Sequence, residues 1–158
     1  MTTCNGRVYE STWGQIKQCK YIAFQNNIFV YSVEDIFSRL PNLNNLYFSF
    51  DSKLDDQIAD QELYQNQLLR AIKRICEKFN MSDNVLIEGK SPYLKRAQSI
   101  GLTNKLFLTG IVSQANIDTA TNNNFFGICT EMSNFDIDAD KAHEKGLYIM
   151  AYTPNNYY

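Results

Sequence analysis

The sequence predicts an α/β protein, a parallel (β/α) barrel-derived domain that is incomplete or open. From Leu46 onward, short runs of β-forming residues recur. The last four are centred near Leu86, Phe107, Gly127 and Ile149, about 21 residues apart, which is the length of a compact strand–loop–helix–loop unit. The runs are apolar nearly throughout, as is typical of parallel strands covered on both faces. No G-x-G-x-x-G or P-loop motif follows any run, so a barrel is favoured over a nucleotide-binding doubly wound sheet.

Five strands are predicted, about five of the eight that a complete TIM barrel contains. Each candidate is rich in β-branched, aromatic or other apolar residues, and each is bounded by polar or turn-forming residues. They cover residues 46–50, 85–87, 105–109, 124–129 and 147–152.

Helices are predicted between these strands. Over residues 61–79, apolar side chains recur three and four positions apart while charged residues take the other positions, as in a helix packed on one face. Ser91 predicts an N-cap, followed by proline at the first helical position, and Gly101 ends that helix. Residues 138–145 predict a last helix, and Gly146 lies where a helix C-terminus favours glycine.

The first 45 residues predict a different local structure. A short helix begins near Ser11 or Thr12. Two β-rich runs, over residues 21–24 and 28–31, predict either a hairpin or an extended stretch. Ser32 opens a further helix through a pattern that resembles a capping box, with aspartate three positions later.

The composition is that of a globular protein without a strongly charged surface. The 158 residues include 15 basic and 17 acidic side chains, for a net charge of -2 and a pI near 5.4. This balance argues against broad electrostatic binding of nucleic acid or of an anionic membrane. No apolar run approaches the ~20 residues that span a bilayer, and no signal peptide is recognisable. With no Gly/Ser-rich linker, residues 1–158 are expected to form a single domain in a cytoplasmic or otherwise soluble protein.

The four cysteines, Cys4, Cys19, Cys76 and Cys129, contain no C-x-x-C pair. The single histidine, His143, cannot complete a zinc site with any of them by spacing. The cysteines are therefore expected to be reduced and to behave as small buried apolar side chains. The 17 asparagines, several of them paired between apolar runs, are interpreted as turn markers, since asparagine tolerates left-handed backbone.

Four stretches of the chain resemble sequence segments of a known enzyme family. They read NGRVYESTWGQIK, VYSVEDIFSRLPNLNNLYFSFDSK, NVLIEGKSPYLKRAQSIG and AHEKGLYIMAYTPNN. In this order they resemble segments of the glycerophosphodiester phosphodiesterase family, whose late segment reads A-H-x-x-G-L-x-V-x-V-W-T-V-N. The resemblance spans nearly the whole chain.

The resemblance implies a (β/α)8 barrel that hydrolyses glycerophosphodiesters to an alcohol and glycerol 3-phosphate. Members use a divalent cation, commonly Mg²⁺ or Ca²⁺, and two histidines for proton transfer. By resemblance, Asp51 stands at the position of a metal-ligating glutamate and Lys53 at that of a phosphate-contacting lysine. Tyr152 and Asn155 fall at substrate-binding positions. The alternative for Asp51 is a solvated turn of acidic residues before a helix.

The family's His-Arg-Gly, Glu-x-Asp and His-Asp motifs have no counterpart in this chain, so no catalytic residue is identified. His143 matches a helix histidine outside the catalytic pair. The chain is therefore predicted to be a glycerophosphodiester phosphodiesterase-like protein, impaired or inactive by itself. The alternative is a non-catalytic binding or structural module within a larger assembly.

A homo- or hetero-oligomer that covers the open sheet edges is expected, without nucleic acid and without a membrane span. Glu88 and Lys90 are interpreted as a loop ion pair or as exposed charges.

Overall fold

A computed structural model describes residues 3–22, 28–52, 60–132 and 138–152. The chain divides into two compact units, Met1–Leu43 and Asn44–Tyr158, which are called the N-terminal unit and the barrel unit below. The single domain expected from the sequence stays a prediction.

Two short helices of the N-terminal unit begin at capping residues. Helix α1 (Trp13–Ile16) follows Thr12, and helix α2 (Val33–Arg39) follows Ser32. In each, the capping hydroxyl accepts a hydrogen bond from the backbone N–H three residues later, and the side chain of that later residue reaches back. These bonds satisfy groups that a helix end leaves unpaired. The predicted capping box at Ser32 is confirmed, and its hydrogen bond lowers the pKa of the Asp35 carboxyl.

The two predicted β-rich runs pair after α1. Lys20 and Phe29 form an antiparallel bridge, so the hairpin forms rather than the extended stretch. Residues 23–27 lie outside the described residues. Cys4 and Cys19 are joined by a disulfide, with their Cα atoms 5.4 Å apart. The expectation that all four cysteines are reduced is therefore wrong. The chain between the two cysteines folds back so that Thr3 and Lys20 are hydrogen-bonded, and this brings the two backbones to the spacing that a disulfide spans. Local sequence patterns do not reveal that approach.

Five parallel strands form the sheet of the barrel unit: β1 (Phe48–Asp51), β2 (Val85–Gly89), β3 (Lys105–Thr109), β4 (Gly127–Glu131) and β5 (Tyr148–Tyr152). Each strand pairs with the next along the chain, so the spatial order is β1-β2-β3-β4-β5. A doubly wound sheet reverses its strand order at a switch point, whereas a (β/α) barrel adds strands in chain order. The sheet curls into a half-barrel with helices between the strands, which confirms the predicted fold class.

Four helices lie between or beside these strands: α3 (Gln61–Phe79), α4 (Ser91–Ser99), α5 (Gln114–Asn122) and α6 (Ala139–Glu144). Helix α3 has the predicted bounds, because its apolar stripe is buried and Asp60 caps its first turn. Helix α4 begins one residue earlier than predicted, since Lys90 and not Ser91 takes the N-cap conformation. Within the described parts of the chain, no helix combines the length and the apolar composition needed to cross a membrane.

Three asparagines adopt left-handed backbone conformation, and one of them, Asn124, belongs to a predicted turn-marking run. Among the described residues, the non-glycine positions with positive φ are Asn42, Asn80 and Asn124, with φ of 53 to 55°. Asn80 ends α3 in left-handed conformation. Asn124 has the same conformation, so strand β4 begins after this turn, at Gly127, rather than at residue 124 as predicted.

Alternate residues of the three central strands are buried against the helices. Ile87 in β2 and Ile128 in β4 are fully buried, and Leu106 and Leu108 in β3 nearly so. Burying each such side chain stabilises the fold by about 1.5–3 kcal/mol relative to leaving it in water. This packing fixes the positions of the strand ends, and the other face of the sheet carries the polar groups described next.

Candidate functional site

Side chains from three strands meet on one face of the sheet. The hydroxyl of Ser49 in β1 donates to one carboxyl oxygen of Glu88 in β2, and the thiol of Cys129 in β4 donates to the other at 2.9 Å. Strand β3 lies between β2 and β4. Side chains of β2 and β4 therefore touch only on the side toward which the sheet curls. This face is the concave face of the half-barrel.

A ring of polar side chains occupies the carboxyl end of the concave face, and we call it the carboxyl-end ring. Side chains alternate along each strand, and residues paired in register share a face. This register assigns six residues to the ring: Asp51, Glu88, Thr109, Cys129, Glu131 and Tyr152. Active sites of (β/α) barrels lie at this end of the strands. Three of the six side chains are carboxylates and none is basic, so the ring is acidic.

The sequence interpretation of Glu88 as a loop charge is wrong. Glu88 lies within β2 and is 8% exposed. Both of its carboxyl oxygens accept hydrogen bonds, and it forms no ion pair with any of the described residues. Hydrogen bonds to both oxygens offset part of the cost of removing a carboxyl group from water. The donors, Ser49 and Cys129, lie 39 and 41 positions away in the sequence, so no local pattern indicates this environment.

An apolar layer lies beside the ring on the concave face. Phe107 is 4% exposed, and it pairs in register with Gly127. A Cβ atom at Gly127 would lie 2.8 Å from Cε1 of Phe107 and would overlap the carbonyl oxygen of Tyr148. The missing side chain therefore makes room both for the aromatic ring and for the pairing of β4 with β5. The low polarity of this layer strengthens the hydrogen bonds of the neighbouring Glu88.

The structure describes two of the four predicted site residues, and both lie in the carboxyl-end ring. Asp51 ends β1, where it is exposed and pairs in register with Glu88. Tyr152 ends β5, at the opposite edge of the sheet, and is 47% exposed. Lys53 and Asn155 lie outside the described residues. The roles of all four residues stay predictions.

A buried phenol and a lysine lie next to the ring. Burial raises the pKa of Tyr93, and a hydrogen bond from Ser52 partly offsets that rise. The two hydroxyl oxygens are 2.9 Å apart. The Lys90 ammonium donates to the backbone carbonyl of Thr109 at 3.4 Å. The surroundings of the ring therefore contain a neutral hydroxyl and a cation, and sequence patterns indicated no role for Tyr93.

The carboxyl-end ring does not assemble a metal site from the described residues. Within them, no three His, Cys, Asp or Glu side chains converge so that they could hold an ion. Mg²⁺ and Ca²⁺ take about six or more oxygen ligands, whereas Asp51 and Glu88 supply two neighbouring carboxyl groups, and the second already accepts two hydrogen bonds. The described residues thus do not fit a bound Mg²⁺ or Ca²⁺, and the expected cofactor stays a prediction.

The chain's one imidazole lies on a helix and not in the ring. His143 is exposed on α6. Imidazole is the side chain most suited to proton transfer near neutral pH, because its ordinary pKa is about 6.5. The ring offers carboxyl, hydroxyl, thiol and phenol groups instead.

Two solved structures share this fold. A protein from Silicibacter pomeroyi assigned as a glycerophosphoryl diester phosphodiesterase matches 99% of this chain, with a TM-score of 0.75 and 11% sequence identity. A protein from Galdieria sulphuraria assigned as a glycerophosphodiester phosphodiesterase matches 95% of this chain, with a TM-score of 0.74 and 14% identity. The matched regions are 62% and 59% of those chains, so this chain spans about three fifths of their length.

The fold is that of an incomplete (β/α) barrel. At these low identities, the two structures establish the fold, and at that level they confirm the resemblance seen in the sequence. No family model and no curated protein matches the sequence.

Proposed function

We propose that this chain is a glycerophosphodiester phosphodiesterase-like scaffold that does not hydrolyse phosphodiesters by itself. The composition of the carboxyl-end ring, which contains no imidazole, carries this proposal. Acid–base hydrolysis of a phosphodiester needs one group that takes a proton from the attacking oxygen and another that gives a proton to the leaving oxygen. The resemblance implies that family members use two histidines for these steps, and this chain has one, His143, on a helix.

The charge of the ring also opposes direct binding of a phosphodiester anion. Asp51 is a ring carboxylate on the edge strand β1, and Glu88 and Glu131 lie on β2 and β4, with Glu88 buried. Negative charges disfavour an approaching phosphate group unless a cation compensates them. In the proposal Lys53, the lysine predicted to contact phosphate, is the candidate for this cation. Without a second compensating charge, we expect the ring to bind phosphate weakly.

Hydrolysis assays with the purified chain test the proposal. Glycerophosphocholine and a chromogenic phosphodiester would be incubated with the folded protein in Mg²⁺, in Ca²⁺ and in chelator. We expect no turnover above the uncatalysed rate in any condition. Circular dichroism of the same samples establishes that the assayed chain is folded.

Two variants give the assay a control. Asp51→Asn removes the predicted metal-ligating carboxylate, and Asp83→Asn removes an exposed carboxylate before β2, at the other end of that strand. Metal-dependent turnover that is lost in Asp51→Asn and retained in Asp83→Asn would contradict the proposal. Such a result would also assign Asp51 to a working site.

The edge strands of the sheet and the exposed tyrosines of β5 favour a second candidate function, as part of an assembly. Strands β1 and β5 are the two edges of the sheet, and proteins rarely leave such edges bare. On β5, Tyr148 and Tyr152 are 61% and 47% exposed. A partner chain, or a second copy of this one, that pairs with these edges would cover the tyrosines and extend the half-barrel.

Light scattering tests the assembly. We expect the purified chain to form an oligomer at high micromolar concentration, or to bind a separate partner. A monomer that unfolds cooperatively across that concentration range would contradict self-association. Tyr148→Ser, at a solvent-exposed edge position, is expected to weaken the oligomer. Ile111→Ser, which follows the central strand β3 and is 50% exposed, is the control.

A further inference from the structure

The N-terminal unit has very little interior. Among its described residues, Cys19 and Phe37 are buried, at 4% and 3% exposure. Helix α1 buries no residue, and α2 buries Phe37 alone. Folded segments of about 40 residues seldom bury enough apolar surface to be stable without a disulfide, a metal or a partner. One of the two buried side chains here is half of a disulfide.

The disulfide joins the segments from which this unit is built. Cys4 belongs to the amino-terminal segment, and Cys19 follows α1. The backbone N–H of Val30, on the other arm of the hairpin, donates to the carbonyl of Cys19 at 3.0 Å. Next to the bond, Thr3 and Lys20 exchange two hydrogen bonds, of 2.8 and 2.9 Å. One covalent bond therefore holds the amino-terminal segment, α1 and the hairpin together.

A partly open pocket adjoins the disulfide. Both cysteines line it, together with Val8, Ile16 and Val30, and its volume is about 310 Å³. Atoms that line a pocket lack contact partners on that side, so the covalent bond supplies much of the constraint here.

In the folded chain, the two remaining cysteines cannot compete with Cys4 and Cys19 for disulfide formation. Cys76 and Cys129 are free and each is 1% exposed, in α3 and β4. Cys76 accepts a hydrogen bond from Asn104, and Cys129 donates to Glu88. Burial keeps both thiols from exchange partners, whereas Cys4 is exposed and open to oxidants and reductants.

We propose that the Cys4–Cys19 disulfide is the structural core of the N-terminal unit, so that this unit folds only when oxidised and the protein works in an oxidising compartment. Disulfides persist in such compartments and are rare in the cytosol. The sequence led us to expect a cytoplasmic or otherwise soluble protein, and of these the proposal excludes the cytoplasm. The experiment below tests that exclusion.

The bond forms by exchange with a small-molecule disulfide such as oxidised glutathione. The thiolate of one cysteine attacks the donor disulfide and displaces one thiol, which leaves a mixed disulfide. The second cysteine then attacks the protein sulfur of the mixed disulfide and displaces the second thiol. In total, two protein thiols lose two protons and two electrons, and the donor is reduced to two thiols.

Limited proteolysis of the full chain tests the proposal. The disulfide joins residues that are 15 positions apart in the sequence. A cross-link over a loop of this length lowers the population of the unfolded N-terminal unit by about 100-fold. We expect reductant to accelerate cleavage within residues 3–43 by about this factor, and cleavage within residues 60–132 to be unchanged. The variant with Cys4→Ser and Cys19→Ser is the matched control. It should be cleaved rapidly with or without reductant.

Thiol trapping supplies the second measurement. Protein from its native source would be blocked with N-ethylmaleimide before lysis and digested for mass spectrometry. We expect a disulfide-linked pair of peptides containing Cys4 and Cys19, and alkylation of Cys76 and Cys129 only after denaturation. Both Cys4 and Cys19 alkylated in the native protein would overturn the proposed compartment. Cleavage of residues 3–43 that does not respond to reductant would overturn the structural role of the bond.

Discussion

Replacing Cys129 with alanine tests whether its thiol stabilises the buried carboxyl group of Glu88. The change removes the donor 2.9 Å from one carboxyl oxygen and leaves the Ser49 donor to the other oxygen in place. Cys129 and Glu88 are 1% and 8% exposed, so water reaches the vacated oxygen poorly. A buried acceptor without a donor costs about 1–3 kcal/mol. We expect the free energy of unfolding to fall by about this amount, in addition to the packing lost with the sulfur atom.

Cys129→Ser is the matched variant. The same two substitutions at Cys76 are the control, because there the alanine variant is expected to be at least as stable as the serine variant. Cys129→Ser keeps a donor next to Glu88, so it should be more stable than Cys129→Ala. Cys76 is also 1% exposed. Its partner Asn104 donates to two backbone carbonyls as well, so no group there loses its sole partner. In helix α3, alanine should be at least as stable as serine, by up to about 0.5 kcal/mol of helix propensity.

Urea and thermal unfolding followed by far-UV circular dichroism measure these differences. For a chain of this size, each kcal/mol shifts the unfolding midpoint by roughly 2–4 °C. Cys129→Ala is therefore expected to unfold several degrees below Cys129→Ser. Equal stability of Cys129→Ala and Cys129→Ser would refute the role of the thiol as a donor to Glu88. So would a result in which serine is the more stable replacement at both Cys129 and Cys76, or alanine at both.

Two further predictions concern the half-barrel. Gly127→Ala should destabilise the barrel unit by about 1–3 kcal/mol, because the new Cβ overlaps the carbonyl oxygen of Tyr148. Gly14→Ala, whose Cβ would have its nearest neighbour at 3.8 Å, should be neutral or stabilising, and equal urea midpoints for the two variants would contradict this reasoning. Ser52→Ala should raise the pKa of Tyr93 further, since burial raises it and the Ser52 hydrogen bond lowers it. Because the folded-state pKa is raised, the stability linked to Tyr93 is present below pH 10.0 and is lost as the pH rises through the folded-state pKa. Absorbance titration of tyrosinate, with Tyr93→Phe to assign the signal, measures the shift, and an unchanged titration in Ser52→Ala would count against the hydrogen bond.

Elements whose stabilising contacts are local could be predicted from the sequence. Helix α3 has its predicted bounds because an apolar stripe, an aspartate cap and a left-handed asparagine all lie within or beside it. The capping box at Ser32 joins residues three positions apart. Helix α5 was not singled out, because its sequence is mostly polar and Ile117 and Ala120 are its buried residues. Its position is explained by packing against β4 and not by its own pattern.

Contacts between distant residues account for what the sequence did not predict. The burial of Glu88 depends on donors in β1 and β4, and only the curl of the sheet brings those strands together. The disulfide depends on the chain between Cys4 and Cys19, which folds back so that Thr3 and Lys20 are hydrogen-bonded. In both cases the residue types were visible and their partners were not, because one sequence does not report which distant positions meet. Asp51 was placed correctly at a strand end because the strand itself was locally recognisable.

The order of the strands has a consequence for how the chain is made. Each strand pairs only with its predecessor and its successor, and partners in register from β2 onward are separated by about 20 positions. At synthesis rates of roughly 5–20 residues per second, a ribosome releases one new strand about every one to four seconds. Each strand therefore finds its binding edge already formed when it emerges. We expect the sheet to grow in the order of translation, with the newest edge exposed to chaperones until the next strand covers it.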